Sequence, residues 1–209
     1  DLSINKDLYL RHCQYLMREG HDGLAIFGTT GEANSFSVQE KKDHIDFLIS
    51  NRIDPKILMP GTGSSSLKEA IDMTKHASSH KVRAVLLLPP FYYKNVTDEG
   101  VINYYRHLIE NVGDSELHYV LYHIPQNTYI PISFKTIETL LKLYPYFLAI
   151  LKYFFESVEK IIFLTKDNFF ANSREYKNKG LFLIKVIFLF LIPFDPLLAG
   201  IIHIVSLIV

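Results

Sequence analysis

Short apolar runs of strand length alternate with amphipathic stretches of helix length along the first three quarters of this chain, and few folds accept that order. Strands are expected at Leu24–Phe27, Lys56–Met59, Ala84–Leu88, Leu117–Tyr122 and Phe147–Leu151. Between them, Leu8, Leu10, Cys13, Leu16 and Met17 stand at helical spacing until Gly20 breaks the pattern. Ser37 with Glu40, and Ser66 with Glu69, match capping boxes, so each pair predicts a helix start. The first of these helices should run to about Asn51 and the second past Ala77. Two further helices are predicted from about Asp98 to Asn111 and from Ser133 to Leu143. The unit recurs at roughly thirty-residue intervals, which predicts stacked βα units around a parallel sheet. The runs are apolar at nearly every position, as strands covered on both faces require.

The bulk properties exclude several function classes. Lys+Arg and Asp+Glu both number 22, so the formal net charge is zero and no basic surface for nucleic acid or anionic lipid is implied. A small-molecule or protein partner fits better. Cys13 is the lone cysteine, which excludes an internal disulfide and suits a reducing, cytoplasmic setting. Residues 1–6 lack the basic start and apolar core of a secretion signal. The chain also lacks an initial Met, as an incomplete chain would.

A doubly wound sheet and a (β/α)8 barrel both satisfy the repeat. The barrel is favoured because unusual residues directly follow successive strands: Gly28-Thr29-Thr30, Pro90-Phe91-Tyr92-Tyr93, Tyr122-His123-Ile124-Pro125 and Lys152. Strand ends of that kind converge at the C-terminal mouth of such a barrel. Glycines flanking two hydroxyls after Phe27 would also leave backbone N–H groups facing one point, a small anion pocket.

On Gly28-Thr29-Thr30-Gly31-Glu32, Gly61-Thr62-Gly63, Pro90-Phe91-Tyr92-Tyr93 with Glu99-Gly100, and Tyr122-His123-Ile124-Pro125, the chain resembles the class I pyruvate-dependent aldolases. That family contains dihydrodipicolinate synthase and N-acetylneuraminate lyase. The likeness runs from about Asp1 to Lys160 and implies an α/β (β/α)8 TIM barrel. It also implies an incomplete one: the first strand of relatives would precede Asp1, and the last βα units are degenerate. The expected organisation is a barrel portion over residues 1–165 and a divergent apolar tail over 166–209.

The resemblance further implies a lysine that forms a Schiff base with pyruvate or another 2-oxo acid, and a C–C bond made to or broken from an aldehyde. By that likeness Lys152 is the Schiff-base lysine. At the end of an apolar strand its ammonium form is disfavoured, which frees the nucleophile. Tyr122 is implied as the acid/base with Thr29 as its relay, since a phenol passes protons only when a partner holds it. Thr30 with the Gly28 and Gly31 backbone would hold the pyruvate carboxylate. Tyr92 matches the position that reaches a neighbouring subunit's site, although alignment on Glu99-Gly100 selects Tyr93. A homo-oligomer, dimer or tetramer, is thus expected, and no cofactor.

The chain departs from the family at two points. Asn127 stands where the synthase branch has an arginine, and Tyr153-Phe154-Phe155 follows Lys152 where relatives carry an acidic residue, serines and a glycine. The competing reading is a non-catalytic or truncated remnant of the same family. Among the nine histidines, His76 and His80 have i, i+4 spacing, but with no carboxylate or third ligand read as standing beside them no metal is expected. Residues 181–209 are almost wholly apolar, yet Lys185 and Pro193-Phe194-Asp195-Pro196 interrupt them short of the ~18–20 residues of a membrane span. They read either as degenerate barrel units or as residues unrelated to the enzyme, as a shifted reading frame would produce.

Overall fold

In the computed structural model, the described residues are 3–144 together with the strands at 148–153, 159–163 and 186–188. The order of elements is α1 (Lys6–Arg18), β1 (Gly23–Ala25), α2 (Val38–Ser50), α3 (Leu67–Ser79), β2 (Ala84–Leu87), α4 (Asp98–Val112), β3 (His118–His123), α5 (Pro125–Thr128), α6 (Phe134–Leu143), β4 (Leu148–Tyr153), β5 (Glu159–Phe163) and β6 (Val186–Phe188). The fold is an α/β, incomplete (β/α)8 barrel whose sheet does not close among the described residues. The organisation expected for 166–209 lies outside them apart from β6, as does Phe147.

Two of the expected strands differ. The first stops at Ala25, because Phe27 takes a φ of 56°, which a strand cannot contain. The second begins later: Pro55–Ile57 is a 3₁₀ turn, started by Pro55 and by the Asp54 carboxylate accepting from Lys56 N. The chain then runs extended between β1 and β2. Leu58 bridges Leu24 in parallel and Gly61 bridges Leu86, with Met59 N donating to Leu24 O and Thr62 N to Leu86 O. This segment joins β1 to the parallel ladder of β2, β3 and β4. β5 is antiparallel to β4, since residues 154–158 are too few for the crossover that a parallel partner needs.

Alternation along each strand divides the core. Leu24, Ile26, Val85, Leu87, Tyr119 and Leu121 face the helices. Ala25, Met59, Leu86, Val120 and Tyr122 face the opposite side, the barrel interior. Both sets are buried, as expected for strands covered on both faces. The capping box at Ser37 is complete, with Ser37 Oγ accepting from Glu40 N and Glu40 accepting from Ser37 N. At Ser66 only half forms: its hydroxyl accepts from Glu69 N, while the Glu69 carboxylate accepts from Ser64 Oγ.

His44 on α2 is fully buried, edge-on to Tyr9 at 4.2 Å between ring centroids and 5.8 Å from Phe27. Neither ring nitrogen meets a hydrogen-bond partner among the described residues. Burial, and secondarily the Lys6 ammonium, lower its pKa to about 4. The unfolded chain therefore holds the extra proton between pH about 6.5 and about 4, and stability falls across that window by ~3 kcal/mol on acidification. His44→Leu should flatten this part of the pH–stability curve, leaving the fall at lower pH from Glu40 and Asp114, whose pKa values hydrogen bonds from Ser37 and Ser78 depress. Urea midpoints at about pH 7 and about pH 4.5 check it.

Candidate active site

Behind Ala25 the chain must turn sharply while staying packed, and the turn fixes the floor of a cavity. Phe27, buried and left-handed, presents its carbonyl to Gly61 so closely that a Cβ there would lie 1.9 Å from Phe27 O. Glu32 N then donates to Thr29 O and Ala33 N to Gly28 O, closing the Gly28–Ala33 loop. The result is a cavity of about 120 Å³ at the strand ends, lined by Gly28, Thr29, Glu32, Leu86 and Tyr122 among others. Its size is well below the ~300–1,000 Å³ of drug-sized ligand sites.

Of the expected site residues, the structure brings Gly28, Thr29 and Tyr122 to this one cavity. Tyr122 reaches it from the interior face of β3 and is almost completely buried, whereas Thr29 is exposed at the rim. Thr30 and Gly31 belong to the same turn but do not line the cavity. The Thr30 hydroxyl is shielded from solvent with no hydrogen-bond partner among the described residues, so the turn retains an unused donor. Tyr92 lies apart from the cavity, exposed, with its ring 5.1 Å from that of Tyr93. Lys152 is the penultimate residue of β4; its Cα is registered with His123, and Tyr122 is registered with Leu151. The lysine thus stands one pairing level beyond the tyrosine.

Sequence reasoning missed Glu32, Asn34 and Ser35, which also border the cavity. Glu32 carried a signal, as the last residue of the Gly28–Glu32 motif; Asn34 and Ser35 carried none, because a 3₁₀ turn at Ala33–Ser35 brings them back. Also unforeseen was Lys94, whose ammonium donates to the carbonyls of Phe91 and Thr128 and lies 5.3 Å from the Tyr129 ring centroid. It ties the loop after β2 to the end of α5. Asn127, on α5, is exposed.

Fold and cavity together define a βα-barrel protein with a small site at the C-terminal ends of its strands. The model of the dihydrodipicolinate synthetase family matches residues 1–174, and the chain belongs to that family, one of Schiff-base aldolases and lyases. It is 31% identical over 140 residues to the 4-hydroxy-tetrahydrodipicolinate synthase of Pelagibacter ubique, covering 67% of this chain and 46% of that protein. The dihydrodipicolinate synthase of Agrobacterium tumefaciens superposes with a TM-score of 0.69 at 24% identity, over 88% of this chain and 60% of the other. The chloride-inhibited dihydrodipicolinate synthase of Acinetobacter baumannii, complexed with pyruvate, gives 0.58 at 31% identity, over 66% and 46%. The chain spans about half the length of the curated relatives it matches. No helix among the described residues is long and apolar enough to cross a membrane.

Proposed function

We propose that the chain provides the pyruvate site of a class I aldolase or lyase. The Lys152 amine attacks the ketone carbon of pyruvate or a related 2-oxo acid, and loss of water from the carbinolamine leaves the imine. Removal of a C3 proton gives the enamine, whose C3 forms a bond to an aldehyde carbon; retro-cleavage runs the same steps backward. Tyr122 carries the protons, with Thr29 as its relay. The Gly28–Gly31 turn receives the carboxylate, and the Thr30 hydroxyl, unpartnered among the described residues and outside the cavity lining, turns in to join it when the acid binds. The observation that carries this reading is the meeting of Thr29 and Tyr122 at one small cavity beside the glycine turn.

The aldehyde is left open by residue chemistry. Asn127 cannot offer the bidentate pairing an arginine gives a carboxylate, which argues against the synthase's own second substrate. Exposed Tyr92, Tyr93, Tyr129 and Phe134 on and after the strand-end loops support association with a second copy, with Tyr92 as the residue that reaches the neighbouring site. A second reading, a non-catalytic remnant of the family, is favoured by one observation: Lys152 pairs at the level of His123 and not of Tyr122. Reductive trapping with pyruvate and borohydride, read by intact mass for the parent chain and Lys152→Ala, distinguishes the two.

A further inference from the structure

The pair His76 and His80, one helical turn apart at the end of α3, meets a third ligand that sequence proximity does not reveal. Asp46 of α2 places Oδ1 2.8 Å from His76 Nε2 and 2.7 Å from His80 Nε2. Ligand atoms from all three residues lie within 4.8 Å of one another, and the imidazole centroids are 4.9 Å apart. We propose that Asp46, His76 and His80 bind a divalent transition-metal ion of the zinc type on the outer helical layer, clamping α2 to α3 away from the strand-end cavity.

The donor set selects the ion class. Two imidazoles and one carboxylate suit zinc and its neighbours, whereas magnesium and calcium require oxygen cages. Three protein ligands leave a fourth position for water. Bonds of ~2.0–2.2 Å to a central ion would spread the ligand atoms to ~3.4 Å apart, an adjustment side-chain torsions supply. The two imidazoles are 21% and 29% exposed, open enough for an ion to enter and held enough to converge. Competition from a nearby ammonium is removed, because Lys42, one turn earlier on α2, pairs with Asp72 at 2.6 Å.

The test uses the whole chain, freed of metal by chelator, then titrated with zinc by calorimetry and followed by thermal unfolding. One equivalent should bind and raise the melting temperature. Asp46→Asn should weaken that binding by ~10-fold or more, at least what loss of an outer-shell partner costs. The double substitution of His76→Gln with His80→Gln should abolish it, and His107→Gln, on the exposed side of α4, should leave it intact. Cobalt added to the parent chain should give the intense visible bands of a low-coordinate ion, a readout that needs no variant to fold. Zinc binding equal in the parent and the double variant, or a melting temperature insensitive to zinc with only octahedral cobalt bands, would mean a hydrogen-bonded clasp alone and overturn the proposal.

Discussion

Gly61→Ala is expected to cost the folded state much of its stability. Gly61 N donates to Ile26 O at 2.7 Å, and the residue bridges Leu86 on the other side, so it sits where β1 is joined to the rest of the sheet. A methyl group there would meet Phe27 O at 1.9 Å and Phe27 C at 2.8 Å. Both are backbone atoms of a buried residue, and Phe27 is already left-handed, so neither can rotate aside. Either the turn under the cavity moves or the link from β1 to β2 breaks. We expect a loss of about 4 kcal/mol or more, a large part of the stability of an ordinary domain. The comparison is Gly20→Ala, where φ is 86° but nothing lies within 4 Å of the added carbon, and the penalty should be only the ~1–2 kcal/mol of a left-handed alanine. Urea unfolding and soluble yield decide it. A Gly61→Ala chain that unfolds with the parent midpoint would mean that the Phe27 carbonyl gives way to a methyl group at little cost.

Tyr122→Phe should leave the fold and remove the chemistry. The ring is buried in the interior cluster with Leu86, Val120 and Ile124, and phenylalanine preserves that packing, at a cost of about 1 kcal/mol for the lost hydroxyl contact. Turnover should fall by ~10²–10⁴, the range for a positioned acid/base. Capture of pyruvate should persist, because attack on the ketone belongs to the amine. The measurement is turnover with pyruvate and a panel of small aldehydes, run beside adduct formation by mass spectrometry. Turnover within a few-fold of the parent would remove Tyr122 from the proton path.

What the sequence disclosed follows the range of its signals. Periodicity reaches along one element, so the long helices α1, α2, α3, α4 and α6 and the complete cap at Ser37 were legible, whereas the one-turn α5 was not. At Lys56–Met59 the apolar run competed with Asp54-Pro55, a turn signal that the structure shows to be the stronger. Nothing in the residue type of Phe27 announces a positive φ, and its carbonyl packs against Gly61, a residue distant in the chain. The gathering of Gly28, Thr29 and Tyr122 was readable because strand ends of one barrel face converge, whereas the separation of Thr29 from Thr30 depends on how a four-residue turn is rotated. Asp46 and His76 lie in different helices, brought side by side only by the packing of α2 on α3, and no local pattern could have paired them. β5 reversed direction because of connection length, a signal present in the chain but silent until both strand ends are known.

The proposed chemistry rests on one nitrogen. The folded chain should be incubated with pyruvate, reduced with borohydride, digested and mapped, beside Lys152→Ala treated in the same way. A single pyruvyl-derived adduct on the peptide containing Lys152, absent from the variant, is the expected result. No adduct in a sample whose folding is verified, or an adduct on another lysine that survives Lys152→Ala, would contradict the Schiff-base assignment and leave the chain a non-catalytic member of its family.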